Sequence, residues 1–290
     1  FATTMLPGDV AQAMLGQSAT PEAVAGLRHA MGLDVPAYSR FLSWLWGLLH
    51  GDLGRSYVTR LPISEMIGGR LNNSLKLAFL VTLVSVPFSM VLGITSAMLK
   101  DSTYDAIVSA MTIAVISVPE FLIATLAILI FAVWLHWLPA ISSGALHAVT
   151  WTKMFAAYAM PVITLTFVVS AQMIRMTRSA MIEASNRPYG EMAVLKGASR
   201  VRIVLWHVLP NAVGPIANAM ALSLSYLLGG VIVAETIFDY PGVAKLMVDA
   251  VSTRDLPLIQ SCAILFCFCH LIMLMFADLV AILSNPRSRA

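Results

Sequence analysis

An all-α membrane protein, a polytopic helical bundle, is the fold class this sequence predicts, and three observations predict it. Of 290 residues, 59% are hydrophobic and only 11% charged, far from the composition of a soluble domain of that length. The apolar residues run in stretches long enough for a hydrocarbon layer of about 30 Å, which takes roughly 20 residues of helix. These stretches lack the alternation of a transmembrane β-strand, so each must satisfy its backbone within itself as a helix. The net charge of +3 is weak and its basic residues cluster by loop, which gives no footprint for nucleic acid.

Residues 1–72 read as a small folded cap outside the membrane. Thr20, Pro21 and Glu22 open a helical pattern with Ala23, Leu27 and Met31, closed by Gly32. Tyr38, Phe41, Leu42, Leu45, Leu48 and Leu49 repeat at helical spacing beside Trp44 and Trp46, which suits a helix lying along the outer interface. A turn at Gly51, Asp52, Leu53 and Gly54, then Pro62, leads to Asn72, Asn73 and Ser74, expected N-caps of the first full span.

Five spans follow, at 74–99, 107–137, 154–176, 212–234 and 258–283. Pro87, Pro119 and Pro161 are expected to bend their spans, either to line a pathway or simply to pack. Glu120 is the only acid well inside a span, so it should face a wet cavity or a partner on another helix. Cys262, Cys267 and Cys269 share one apolar span and behave as small hydrophobes; Cys267 and Cys269 point to different faces, which argues against a metal site with His270. His136 and Trp137 read as interface anchors.

Orientation comes from the short loops. Lys100, Arg175, Arg178, Arg187, Lys196, Arg200, Arg202, Arg287 and Arg289 lie on one side, and among the short loops only Lys153, Lys245 and Arg254 on the other. The outer N-terminal stretch also carries Arg28, Arg40, Arg55, Arg60 and Arg70, which the positive-inside rule discounts in a segment of that size. The positive-inside rule therefore places the 177–210 loop and the C-terminus in the cytoplasm. An external N-terminal segment that begins at Phe1 without an apolar stretch implies one more transmembrane helix before Phe1, ending near Met5 to Asp9; a cleaved signal peptide is the rival expectation.

Within the cytoplasmic loop, Asn186 and Pro188 are start signals, Glu191 suits a first helical turn and Gly197 a left-handed stop. A second helix is expected from Ser199, with Val201, Val204, Leu205 and Val208 on one face, until Pro210 turns the chain back to the bilayer. An amphipathic loop resting on the membrane would carry the same spacing.

These residues resemble the EAA loop of ABC importer permeases of the dipeptide/oligopeptide/nickel family: Glu191, Ala193, Gly197, Leu209 and Pro210 match at the family's spacing, while Met192 and His207 depart from it. The likeness extends through Leu6-Pro7-Gly8-Asp9, Gly51-Asp52-Leu53-Gly54, Arg70 to Leu75, the stretch from Glu235 through Phe238, Tyr240, Pro241 and Gly242 to Pro257, and Asn285-Pro286-Arg287. It is closest to the first of that family's two paired permeases. The resemblance implies the type I importer permease fold over 73–290, with a coupling loop at 177–210 and a periplasmic reentrant stretch at 235–257. It implies a bacterial inner-membrane heterodimer with a second permease, two ATP-binding subunits that carry ATP and Mg, and an external solute-binding protein. Tyr189, Glu191, Met192, Ala193, Leu195, Gly197 and Pro210 would couple to the ATPases. Pro119, Glu120 and Glu235 are expected along the translocation path, and Phe238, Tyr240, Pro241 and Gly242 at the binding-protein contact. The chain has no cofactor of its own and no phosphate-cradling Gly-x-x-x-x-Gly-Lys-Ser/Thr loop.

Peptides are the expected cargo, with nickel or a nickel chelate as the alternative. A secondary transporter would carry ion-coupling carboxylates in several spans and internal repeats, where this chain has Glu120. A membrane enzyme would need a nucleophile or metal motif, and neither His-Glu-x-x-His nor Gly-x-Ser-x-Gly occurs.

Overall fold

The computed structural model describes residues 12, 19–30, 34–142, 150–188, 192 and 196–284. Its helices are α1 (Pro21–Ala30), α2 (Ala37–Leu49), α3 (Ile63–Met98), α4 (Thr103–Ser117), α5 (Glu120–Ala127, continuing as π-helical turns over Ile128–Trp134), α6 (Trp151–Ser185), α7 (Arg200–Ile203, continuing as a π-helical stretch over Val204–Val208), α8 (Leu209–Ile237), α9 (Val243–Ser252) and α10 (Leu256–Ser284). Among the described residues the only β pairing is an isolated bridge between Arg55 and Pro62. The chain divides into two compact units, Phe1–Ser74 with Pro241–Cys267, and Leu75–Tyr240 with Phe268–Ala290.

In the first unit, α1 starts where Thr20 Oγ1 accepts the Ala23 N–H at 3.3 Å, a side-chain N-cap. Helix α2 leaves Tyr38, Phe41, Leu42, Trp46 and Leu49 exposed, the apolar face an interfacial helix needs. Gly51 and Gly54 both have left-handed φ, 81° and 79°, and Asp52 Oδ1 closes the turn by accepting the Gly54 N–H at 2.8 Å. Asn72, Asn73 and Ser74 are not N-caps, because α3 has already begun at Ile63. Asn73 Nδ2 donates to the Pro241 carbonyl at 3.0 Å, and Ser74 Oγ accepts the Val243 N–H at 2.9 Å, so Ser74 satisfies an orphan amide at the start of a different helix, α9. Ile63 and Ile67 of α3 pack with Val243, Leu246 and Ala250 of α9 and Leu258 and Cys262 of α10 to form this unit's core. Asp255 is buried and accepts from the Ser56 hydroxyl and, at 3.1 Å, from the Tyr57 N–H, which ties the loop before α3 to the start of α10.

The second unit is built around α6, whose apolar window is 67% buried against 28% or less in the other candidate spans. Four helices among the described residues are long and apolar enough to cross a membrane, and α4 with α5 passes the same test only as a pair bent by 102°, a broken span or a re-entrant loop. The five stretches expected to span are all helical. Pro119 breaks the second one: it lacks an N–H, and it forces Val118 into extended backbone at ψ 130°. Pro161, by contrast, sits inside continuous α6. The carbonyl it orphans, that of Ala157, accepts the buried Ser142 hydroxyl at 2.7 Å, so the helix keeps its bond count without bending apart. Helix α6 also runs past the expected end of its span at 176 and carries Arg175 and Arg178, expected in a loop, within its last turns.

Candidate functional site

The break at Pro119 puts Glu120 in the first turn of α5, where a carboxylate suits the positive end of the helix dipole. Its side chain borders a cavity of about 340 Å³ walled by Val115 and Ile116 of α4, Val169 and Gln172 of α6, and Ser223 and Tyr226 of α8. Of the two expectations for Glu120, a cavity or a partner on another helix, the geometry gives a cavity. Gly230 of α8 closes in from one side: a Cβ there would lie 3.2 Å from Glu120 Oε2 and 3.2 Å from Leu165 Cδ2. A carboxylate among apolar walls with a few hydroxyl and amide groups favours water and cationic groups in the cavity. Pro119 contributes through the break it makes, with its own ring exposed.

Glu235 is fully buried near the end of α8, where its carbonyl accepts the Tyr240 N–H at 2.9 Å. Phe238 and Tyr240 are also wholly buried. The Phe238 carbonyl accepts the Ser142 N–H at 2.8 Å, and the Tyr240 ring packs on Tyr158 with centroids 5.7 Å apart. Burial, then Tyr158, raises the Tyr240 hydroxyl well above the usual tyrosine range. Both rings, expected at the binding-protein contact, are thus enclosed within this chain. Gly242 is buried as well, and Pro241 is partly exposed.

Of the expected coupling residues, Tyr189, Glu191, Ala193 and Leu195 lie outside the described residues. Met192 is helical and 54% exposed, and its carbonyl accepts the Lys196 N–H at 3.1 Å. Gly197 follows with φ 74° and open space around it, the left-handed stop expected there. The second helix differs from expectation. It takes π-helical turns over Val204–Val208, and the expected stripe is not one buried face: Val201 is 55% exposed and Leu205 47% exposed while Val208 is fully buried. Pro210 does not end that helix but lies inside a continuous helical run from Val201 to Leu227, directly after the π-helical turns.

A second polar constellation was not legible in the spans. Asp105, 3% exposed in the first turn of α4, receives Arg178 Nε and one terminal guanidinium nitrogen at 2.6 Å each, the Ser96 hydroxyl at 2.5 Å and the Asp101 N–H at 3.1 Å. The signal available in the sequence was an acid at the edge of one predicted span and an arginine just past the end of the next; only folding shows that they meet.

Two family models match the chain. One described as "Binding-protein-dependent transport system inner membrane component" covers residues 89–290, and one described as "Binding-prot-dependent transport system membrane comp, N-term" covers residues 1–78. A Brucella abortus (strain 2308) protein named for a peptide transport system permease is 33% identical over 289 residues, 98% of this chain and 90% of that protein. The glutathione transport system permease proteins GsiC of Salmonella choleraesuis (strain SC-B67) and Salmonella typhi are 34% identical over 285 residues, with the same coverage of 98% and 90%.

Proposed function

The chain belongs to the family of binding-protein-dependent transport system inner membrane components, and from that premise we propose that it is one of two paired permeases in an ATP-driven importer of short peptides. It is a transport subunit and not itself an enzyme. The observation that carries the peptide reading is the similarity to permeases named for peptide and glutathione transport over 98% of this chain and 90% of each relative.

In this reading two ATPase subunits, which carry ATP and Mg, press on the segment from Tyr189 to Gly197 from the cytoplasmic side. The excess of Lys and Arg in that loop supports the orientation. Their closure moves α6 and the start of α8, and the broken span formed by α4 and α5 changes the width of the Glu120 cavity. A solute-binding protein delivers cargo on the opposite side, over the 235–257 stretch. There the exposed parts of α9 would receive it, and the buried Phe238 and Tyr240 hold the turn in shape.

Reconstitution tests this. The chain would be coexpressed with a second permease, both ATPases and a binding protein from the same system, and placed in proteoliposomes. ATP-dependent uptake of labelled di- and tripeptides, glutathione among them, is the expected result. Uptake of nickel in preference to every peptide would overturn the cargo assignment; ion-gradient-driven uptake without ATP would overturn the importer.

A further inference from the structure

We propose that Asp105 and Arg178 form a positioning clamp that carries the stroke of the coupling loop to the break at Val118 and Pro119; this rests on the reading of the chain as an ATP-driven permease. Arg178 lies in the last turns of α6, just ahead of the loop that would meet the ATPases. Its guanidinium grips both oxygens of Asp105 at 2.6 Å, a two-point fork that fixes orientation as well as distance. The same carboxylate accepts from Ser96 in α3 and from the Asp101 N–H in the link before α4. One buried acid therefore joins α3, α4 and α6.

The joint is reinforced beside it. At Gly93 the α3 backbone approaches α6 so closely that a Cβ would lie 2.7 Å from Thr177 Cβ. Farther along α6, Met181 and Ala184 pack with Val208 and Ala212, so the far end of the loop is bound into the same body. Helix α4 then carries on from Asp105 to the break at Val118, about 20 Å of rod at 1.5 Å per residue. At the break the path turns by 102°, and Glu120 and its cavity lie immediately beyond. Apolar packing alone would hold these helices together as firmly, since a buried ion pair contributes little net stability over hydrophobic residues of the same volume. What the fork adds is a fixed angle between α6 and α4, so movement of one is taken up at the hinge and not by slippage.

The test uses the whole reconstituted transporter with peptide-loaded binding protein. Asp105→Asn and Arg178→Gln are expected to lower peptide uptake per ATP hydrolysed by about fivefold or more, at equal amounts of assembled complex. Arg178→Lys, which keeps the charge but not the fork, falls between them and the wild type. A Tyr226→Cys reporter in the cavity wall, in a background without Cys262, Cys267 and Cys269, should change its thiol labelling rate on ATP addition, and Asp105→Asn should abolish that change. The clamp is refuted if uptake and hydrolysis fall together with an unchanged ratio, as loss of a mere brace would produce, or if the ATP-driven labelling change survives Asp105→Asn. Where those variants fail to assemble, Arg178→Lys and Ser96→Ala decide by the same ratio. A wild-type complex that imports no peptide would instead count against the proposed function.

Discussion

Glu120 shows how much one side chain depends on its neighbours. In lipid a carboxylate is costly, yet here the proline before it and the glycine opposite give it room and a helix N-terminus. A hydrogen bond involving a charged group contributes about 1.5–3 kcal/mol, so Glu120→Gln should cut peptide uptake by roughly tenfold with assembly intact. Unchanged uptake by this variant at saturating loaded binding protein would remove Glu120 from the path. Asp105 is the contrasting residue: 3% exposed, it has its acceptor capacity taken up by Ser96, the Asp101 N–H and Arg178 of the same chain.

At the scale of the element, the prolines are the lesson. The same residue type stands at the break of the second span at Pro119 but inside continuous α6 at Pro161, where the Ser142 hydroxyl donates to the Ala157 carbonyl that lost its backbone donor. Ser142→Ala should therefore destabilise the purified protein by about 1–3 kcal/mol, the cost of leaving a buried carbonyl unsatisfied. In the Pro161→Ala background the penalty should shrink, since the substituted residue regains a backbone N–H that donates to that carbonyl; a double-mutant cycle of thermal midpoints with no coupling would contradict this account. The coupling loop makes its own prediction. Gly197 holds φ 74°, so Gly197→Asp strains the helix stop by about 1 kcal/mol or more in addition to placing a charge at the proposed ATPase contact. Gly197→Asp, and likewise Glu191→Ala, should abolish uptake while membrane insertion stays normal; normal uptake by both would dismiss the loop as the point of force entry.

For the whole molecule the first question is which side faces the cytoplasm. Fusing a fluorescent protein and, separately, alkaline phosphatase after Ala290 should give a fluorescent fusion and an inactive phosphatase; the reverse pattern would invert the assignment of the coupling loop. Composition and run length are summed properties that survive any rearrangement of the chain, which is why the α-helical membrane class and the five spans could be read before folding. The left-handed stop at Gly197 was equally legible, because such stops are written in local backbone preference. Contacts between distant segments were not. Asn73 and Ser74 look like caps for their own helix and serve α9 instead; Phe238 and Tyr240 look like a docking patch and are buried; Asp105 finds Arg178 across 73 residues of chain. Local sequence determined where helices form and what solvent they tolerate, since those depend on neighbours within a turn or two. Which polar group satisfies which, and where a carboxylate finds space, was decided only by tertiary packing, because a hydrogen bond needs its partner within about 3 Å and only the folded bundle brings remote residues that close.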